Sequence, residues 1–190
     1  NNLQPIASLL RRERRRTDSI EAKHILTDNM NRVLSIAATH DILARQLGDK
    51  VELSEVLKFI VNNIYRSYSL MDNIELTIDA EESIIVLSEV ATSVSLIVNE
   101  LVQNCYTHAF PDHREGKINV SMKKEKEEVV IMVTDNGVGF SVHEVEGNSL
   151  GLFIVRNYVN EKLKGKIQFN RKKQGMEISF RFKEGFYNGV

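Results

Sequence analysis

The sequence predicts an α+β protein, in which a helical hairpin precedes a sandwich of helices on one face of an antiparallel or mixed sheet. Three observations support this prediction. Residues 1 to about 47 have a helical periodicity throughout and contain no Gly. Residues from about 51 onward mix helical and strand periods and hold nine of the ten Gly residues. Several predicted strands are adjacent in the sequence, which favours such a sheet.

Length and composition indicate one large domain or two small ones with a sizeable core. The chain has 190 residues, of which 42% are hydrophobic, and its 25 basic and 26 acidic residues give a net charge of -1. This balance argues against a nucleic-acid partner. The single cysteine, Cys105, excludes an internal disulfide and fits a reducing compartment. No apolar run approaches the roughly 20 residues that span a bilayer, so we expect a cytoplasmic chain without a membrane segment.

The first predicted helix ends in a basic run at residues 11–16. We interpret this run as a solvated helix end whose cations complement the helix dipole, and a partner-binding patch is the alternative. Asp18 and Glu21 resemble a capping box, so a second helix is predicted to begin there. The apolar face of the first helix has members three and four residues apart, namely Leu3, Ile6 and Leu10.

The second predicted helix carries a heptad seam, and His40 fills the missing place in that seam, which indicates a structural role for this histidine. A single hairpin cannot bury the broad apolar faces of both of its helices. We therefore expect a homodimer through residues 1–47, in which each hairpin is half of a four-helix bundle. The apolar members of the seam are Leu26, Met30, Val33, Ala37, Ala44 and Leu47.

Residues 48–53 are predicted to be a linker, and residues 54–190 a second domain. Ser54 and Ser88 are the predicted caps of the helices that they begin. Alternating apolar residues predict the strands. In order, the predicted elements are a helix from 54, strands at 74–78 and 84–87, a long helix from 88 to about 109, strands at 118–122 and 129–133 joined by a turn at 123–128, a helix at 150–163, and strands at 166–170 and 176–183.

Three polar residues interrupt the long helix. Glu100, Asn104 and His108 are four residues apart, so an α-helix places them on one face, whereas Cys105 belongs to the apolar side. Their stripe spans roughly 12 Å, which is comparable to a triphosphate. A carboxamide oxygen suits Mg²⁺, which keeps several of its waters. The alternative is a solvated amphipathic face.

Two glycine motifs follow. The strand at 129–133 runs into Asp135-Asn136-Gly137-Val138-Gly139, a turn that a flat ligand can approach closely. The Asp135 carboxylate can accept a hydrogen bond from an exocyclic amine such as that of adenine, and an ordinary Asp-Asn-Gly turn is the alternative. The segment 147–152 opens a helix, whose first N–H groups favour phosphate; an ordinary capped helix is the alternative.

In this order, the motifs resemble those of the GHKL ATPases. Residues 99–110 resemble the N box, residues 135–139 the first glycine box, and residues 149–152 the second. The start of the chain, with Thr17-Asp18-Ser19, resembles the HisKA_2 sensor histidine kinases, and among them members that signal to ANTAR response regulators. The resemblance implies a two-component kinase core. Such a core has a dimerisation and phosphotransfer hairpin and a GHKL-type ATP-binding domain.

The resemblance also implies the site residues. Asn104 is the expected Mg²⁺ ligand, Glu100 is expected to polarise a nucleophile or water, and His108 is expected to contact phosphate. Asp135 is expected to bind adenine N6, while Gly137 and Gly139 admit the base. The segment expected to face the phosphates consists of Ser149, Leu150, Gly151 and Leu152. The expected reaction is transfer of the ATP γ-phosphoryl group to a histidine and then to a response-regulator aspartate, under control of an upstream sensor domain.

The sequence departs from the family pattern in three places. The phosphoacceptor box, His-Arg-Val-Lys-Asn-Asn-Leu-Gln, places its histidine four positions before Asn1, so we expect a fragment without the acceptor. The lid at 140–149 is short and has no Phe-rich box, and Met176 stands where the family often has Thr. Two rival interpretations stay open. One is another GHKL enzyme, such as an anti-sigma Ser/Thr kinase or a gyrase-like ATPase, and the other is an ATP sensor that dimerises without phosphotransfer.

Overall fold

The structure is a computed structural model that describes residues 4–23, 25–27, 29–30, 33, 37, 49–68, 73–111, 115–139 and 150–184. Its helices are α1 (Gln4–Arg16), α2 (Leu53–Ser67), α3 (Ser88–Asn104) and α4 (Leu150–Asn157). Two π-helical turns, Cys105–Ala109 and Tyr158–Lys162, continue α3 and α4. Its strands are β1 (Lys50–Glu52), β2 (Ile74–Asp79), β3 (Ile85–Leu87), β4 (Gly116–Glu125), β5 (Glu128–Asp135), β6 (Lys166–Arg171) and β7 (Met176–Lys183).

The hairpin begins with α1 and turns at residues 17–19, after which the described residues from 20 to 37 are helical. The Ser19 Oγ accepts a hydrogen bond from the Ala22 N–H at 3.2 Å, which is the bond of an N-cap. The predicted capping box of Asp18 and Glu21 is therefore wrong by one residue. Ala7 and Ala37 are buried. Other predicted residues of the second helix, His40, Ala44 and Leu47, lie outside the described residues.

A five-stranded sheet forms one layer of the sandwich, in the order β2-β4-β5-β7-β6. Strands β2 and β4 pair in parallel, because α3 crosses over between them, and the other neighbours are antiparallel. One face of the sheet is buried, and β7 contributes to it through alternate residues, namely Met176, Ile178, Phe180 and Phe182. The predicted mixed sheet is confirmed.

The second layer consists of helices on the buried face of the sheet. Helix α2 packs against α3, and α3 packs against α4. One apolar core joins the two layers; Ile97 and Leu101 of α3, Ile131 of β5 and Val155 of α4 are completely buried in it. The predicted α+β sandwich is confirmed. None of the helices in the described ranges is long and apolar enough to cross a membrane.

Part of the predicted linker is folded. Strand β1 pairs antiparallel with β3, and Val51 lies opposite Val86. Both Val51 and Leu53 belong to the core. Residues 50–53 are therefore packed against the sandwich, which corrects the linker predicted for 48–53; the division into domains at 1–47 and 54–190 stays a prediction.

The predicted serine caps of α2 and α3 are wrong. The N-cap positions are Glu52 and Leu87, and neither makes a side-chain capping bond. The Ser54 Oγ instead donates a hydrogen bond to the Glu52 carboxylate at 2.8 Å. The start of α3 is tied to the chain before β1, because the Ser88 N–H donates to the Asp49 carbonyl at 2.9 Å.

Candidate functional site

The candidate site lies where α3 ends. Glu100 is only 2% exposed, Asn104 is half-buried and His108 is exposed. The predicted stripe holds for Glu100 and Asn104, which are one α-helical turn apart. His108 lies in the π-helical turn Cys105–Ala109, where the angle between successive side chains differs from that of an α-helix, so its place on the stripe stays a prediction.

Asp135 ends β5, a strand inside the sheet, and lies between Ile118 of β4 and Met176 of β7. Its side chain is buried, with 7% of the residue exposed. The Oδ1 atom accepts a hydrogen bond from the Gly137 N–H at 2.8 Å, and the carboxylate also accepts a backbone bond from Met176. Burial raises the pKa of Asp135, and these hydrogen bonds oppose the rise only in part. The carboxylate is therefore held in place before any ligand arrives.

The π-helical turn packs directly on the Asp-Gly turn. The Val138 N–H donates to the Ala109 carbonyl at 2.9 Å, and a Cβ atom on Gly137 would overlap that same carbonyl oxygen. On the other side, the Asn136 Oδ1 accepts a hydrogen bond from the Lys117 N–H at 2.7 Å. The glycine at 137 is therefore needed for contact between helix and turn, in addition to the predicted access for a ligand.

Sequence reasoning missed Cys105 as a residue of this site. The Cys105 Sγ lies 3.7 Å from the Asp135 Oδ2, and both residues are buried. An ideal α-helix assigns Cys105 to the apolar side, together with Leu101. The signal that could have found it is its place directly after Asn104, in the motif that is expected to face the nucleotide.

Gly139 and Gly175 form a second close contact. Both have left-handed backbones, with φ of 64° and 86°. A Cβ atom on Gly139 would come within 2.9 Å of the Gly175 carbonyl oxygen, and one on Gly175 would overlap the Asp135 carbonyl. The turn after β5 therefore packs against the hairpin that joins β6 to β7, and this contact accounts for glycine at both positions.

The second glycine motif opens α4. Gly151 and Leu152 are buried, and α4 packs against α3. Ser149 and the side chain of Leu150 lie outside what the structure describes, as do the predicted lid at 140–149 and Gly147. Helix α4 contacts the helix that carries Asn104, while the part of this motif expected to face phosphate stays a prediction.

The side chains present fit a magnesium nucleotide better than a protein-held metal. Over the described ranges there is no group of three or more His, Cys, Asp or Glu residues that could hold a metal ion. Mg²⁺ commonly takes one or two protein oxygens, with waters and substrate phosphates as its other ligands. The half-buried Asn104 amide offers one such oxygen, and the buried Asp135 carboxylate offers an acceptor for an amine.

Two family profiles match this chain. Residues 1–68 match the HisKA_2 profile, described as histidine kinase. Residues 89–185, just over half of the chain, match the profile described as histidine kinase-, DNA gyrase B-, and HSP90-like ATPase. The second match contains all of α3 except its first residue, and also the Asp-Gly turn and α4.

Among curated proteins, the chain is 33% identical to the sensor histidine kinase PdtaS of Mycobacterium tuberculosis over 192 residues, covering 97% of the chain and 38% of that protein. It is 26% identical to sporulation kinase B of Bacillus subtilis over 167 residues, covering 80% of the chain and 38% of that protein. The chain therefore spans well under half the length of these relatives.

Solved structures share the fold. The histidine kinase domain of the blue-light activated histidine kinase of Erythrobacter litoralis matches with a TM-score of 0.68 at 18% identity, and the match covers 94% of each chain. The histidine kinase ThkA, in a structure of its complex with the response regulator protein TrrA, matches with a TM-score of 0.62 at 20% identity, covering 97% of this chain and 58% of that one.

Proposed function

Because the chain belongs to the histidine kinases, within the histidine kinase-, DNA gyrase B- and HSP90-like ATPases, we propose that it is the core of a two-component sensor kinase that binds Mg-ATP. The observation that carries this proposal is the direct packing of the π-helical turn on the Asp135 turn. It brings the amide-bearing end of α3 and a buried carboxylate to one place, which is what recognition of an adenine nucleotide requires.

Each proposed residue has a task that its surroundings support. Asp135 accepts a hydrogen bond from the exocyclic amine of adenine, and burial strengthens this bond because little water competes for the carboxylate. Gly137 and Gly139 keep the turn free of side chains, so that the base can approach the backbone. His108, which is exposed, contacts phosphate together with the first N–H groups of α4, in the segment Ser149 to Leu152.

Asn104 is the proposed ligand of Mg²⁺, which neutralises phosphate charge when bound. Glu100 lies one turn earlier on the same helix and is buried, so its carboxylate stands in a place where water is scarce. We propose that Glu100 polarises the nucleophile that attacks the γ-phosphorus. Phosphoryl transfer needs mainly such positioning and charge neutralisation, with little covalent work by the protein.

In the proposed reaction an imidazole nitrogen attacks the γ-phosphorus. A P–N bond forms, the bond to the β,γ-bridging oxygen breaks, ADP leaves, and the imidazole loses its proton. The acceptor is the histidine that the family resemblance places four positions before Asn1. An aspartate of a response regulator, of the ANTAR type by resemblance, then takes the phosphoryl group.

The test is labelling of the full-length protein with γ-labelled ATP. The label should be acid-labile and base-stable, as expected of phosphohistidine. Asn104→Ala should abolish labelling, and Glu100→Gln should slow it while ATP affinity is kept, because the isosteric amide preserves the buried packing. Asn63→Ala is the matched control, since Asn63 is a half-buried asparagine of the neighbouring helix α2. ATP binding without label would favour an ATP sensor, and normal labelling of Asn104→Ala would contradict the metal role.

Homodimerisation through residues 1–47 is part of the proposal. In the described part of the hairpin, several large apolar side chains remain exposed, namely Ile6, Leu9, Ile20 and Ile25. A second hairpin would cover them in a four-helix bundle. Light scattering of the full-length protein should give the mass of a dimer, and Ile25→Glu should lower it. A monomer mass for the wild type would contradict this part of the proposal.

A further inference from the structure

The candidate site contains a buried thiol, that of Cys105, which the proposed reaction does not use. Cys105 is 6% exposed and begins the π-helical turn, directly after Asn104. Its Sγ lies 3.7 Å from the Asp135 Oδ2, within the longer range of hydrogen bonds that involve sulfur. The other carboxylate oxygen, Oδ1, is taken by the Gly137 N–H at 2.8 Å. The thiol is therefore a side-chain donor at the Oδ2.

Chemistry fixes the direction of this hydrogen bond. An ordinary thiol carries its proton at neutral pH, and an ionised carboxylate has no hydrogen to donate. The thiol is therefore protonated and donates, while the carboxylate accepts. An oxygen of a carboxylate has two lone pairs, so the Oδ2 can accept the S–H and still accept a second donor.

We propose that Cys105 is a positioning residue for adenine recognition, whose S–H holds the Asp135 carboxylate in the orientation that receives the exocyclic amine. This inference rests on the proposed function. With Gly137 on one oxygen, Cys105 on the other and a backbone bond from Met176, the carboxylate is fixed about its own bond before the nucleotide arrives. Preorganisation of this kind improves affinity by removing the cost of ordering at the moment of binding.

A packing role alone makes a different prediction. If Cys105 only fills space, its truncation loosens the contact between α3 and β5 and weakens every nucleotide alike. If it positions Asp135, truncation weakens only those nucleotides that carry the amine. Purine riboside 5′-triphosphate, which is ATP without its exocyclic amine, separates the two cases because it keeps the ring, the ribose and the triphosphate.

The experiment measures the dissociation constants of ATP and of purine riboside 5′-triphosphate by calorimetry, with magnesium present, on the full-length protein. Cys105→Ala should weaken ATP about fivefold, the effect of losing one hydrogen bond to a carboxylate from a weak donor, and leave the amine-free analogue nearly unchanged. Cys105→Ser should recover most of the preference for ATP, because a hydroxyl also donates. Cys105→Val, which fills the space without a donor, should behave like Cys105→Ala.

Ser95→Ala is the matched control, because it removes one buried side-chain atom from the same helix more than two turns from Cys105. Equal weakening of both nucleotides in Cys105→Ala and Cys105→Val would overturn the inference and leave a packing role. An unchanged preference for ATP in both variants would also overturn it. If the wild type does not bind ATP, both the proposed function and this inference are wrong. If the wild type binds ATP but the Cys105 variants give one of the two overturning results, the inference is wrong and the proposed function stands.

Discussion

Replacing Gly137 by alanine should separate the Asp-Gly turn from the end of α3. An added Cβ atom would overlap the Ala109 carbonyl oxygen and lie 2.6 Å from the Ala109 Cβ. The carbonyl oxygen belongs to the backbone of the helix end and the Cβ atom to a short side chain. Neither can rotate away from the new atom as the end of a long side chain can. The turn must therefore move by several tenths of an ångström or more, and the 2.9 Å hydrogen bond from Val138 to Ala109 is strained or lost.

The size of the effect follows from these contacts. Overpacking of this kind costs about 1–3 kcal/mol. Loss of one backbone hydrogen bond adds about 1 kcal/mol, and alanine recovers about 0.5 kcal/mol because it restricts the unfolded chain. We expect the free energy of unfolding to fall by about 1.5–3.5 kcal/mol. A turn displaced by about 1 Å also misplaces Asp135, so ATP affinity should fall by at least about tenfold.

Gly165→Ala is the matched control. Its Cβ atom would also overlap a backbone carbonyl, that of Arg181, so a similar loss of stability is expected. Arg181 lies five residues along β7 from Met176, which is the partner of Asp135, and this spacing places it about 17 Å away. Urea unfolding measures the stability of both variants, and calorimetry measures their ATP affinity at a temperature where each is folded.

Two results would refute this reasoning. If Gly137→Ala binds ATP as well as Gly165→Ala does, the contact between helix and turn does not set the nucleotide site. If Gly137→Ala is as stable as the wild type, the close packing of the turn on Ala109 is not a feature of the protein in solution.

Three further variants test other parts of the site and fold. Asp135→Asn should weaken ATP binding about tenfold to a hundredfold and raise Tm at neutral pH. Burial raises the pKa of Asp135 in the folded state, so the stability that the wild type has with this residue protonated is lost as the pH rises through that pKa. The gain in Tm of Asp135→Asn over the wild type should therefore vanish at low pH, and a gain that does not change with pH would contradict this. Leu53→Ala should cost about 2–5 kcal/mol in urea unfolding, whereas a linker residue would change stability by at most about 0.5 kcal/mol. His108→Ala should weaken ATP binding without affecting adenosine in the same calorimetric assay, and equal losses for both ligands would argue against a phosphate contact.

Local periodicity was enough to find most of the sheet. Ile74, Leu76 and Ile78 alternate because one face of β2 is buried, and Met176 begins a similar alternation in β7. The parallel pairing of β2 with β4 could not be predicted in the same way, because it joins residues about 42 positions apart and depends on the path of α3 between them. Long-range pairing leaves no local signal in either strand.

Two features of the structure were missed for different physical reasons. Strand β1 has three residues, of which only Val51 is deeply buried, so it is too short for a periodic pattern. The π-helical turn uses residues that suit an α-helix equally well, so the sequence carries no local signal for it. The assignment of Cys105 to the apolar side is confirmed, since this residue belongs to the core, but periodicity does not show that its sulfur also contacts Asp135. The contact of Cys105 with Asp135 emerges only once the two elements are packed.

The short ladder between β1 and β3 has a mechanical consequence. Residues 50–52 are hydrogen-bonded to a strand that continues without a break into α3, and the Asp49 carbonyl receives the first N–H of that helix. At about 1.5 Å per residue, the 17 residues of α3 form a rod of about 25 Å. One end of this rod is fastened to the point where the chain enters the sandwich, and the other end carries Asn104. A force that displaces Asp49 is therefore transmitted to α3, the same helix that carries the Asn104 carboxamide, with no flexible segment between them.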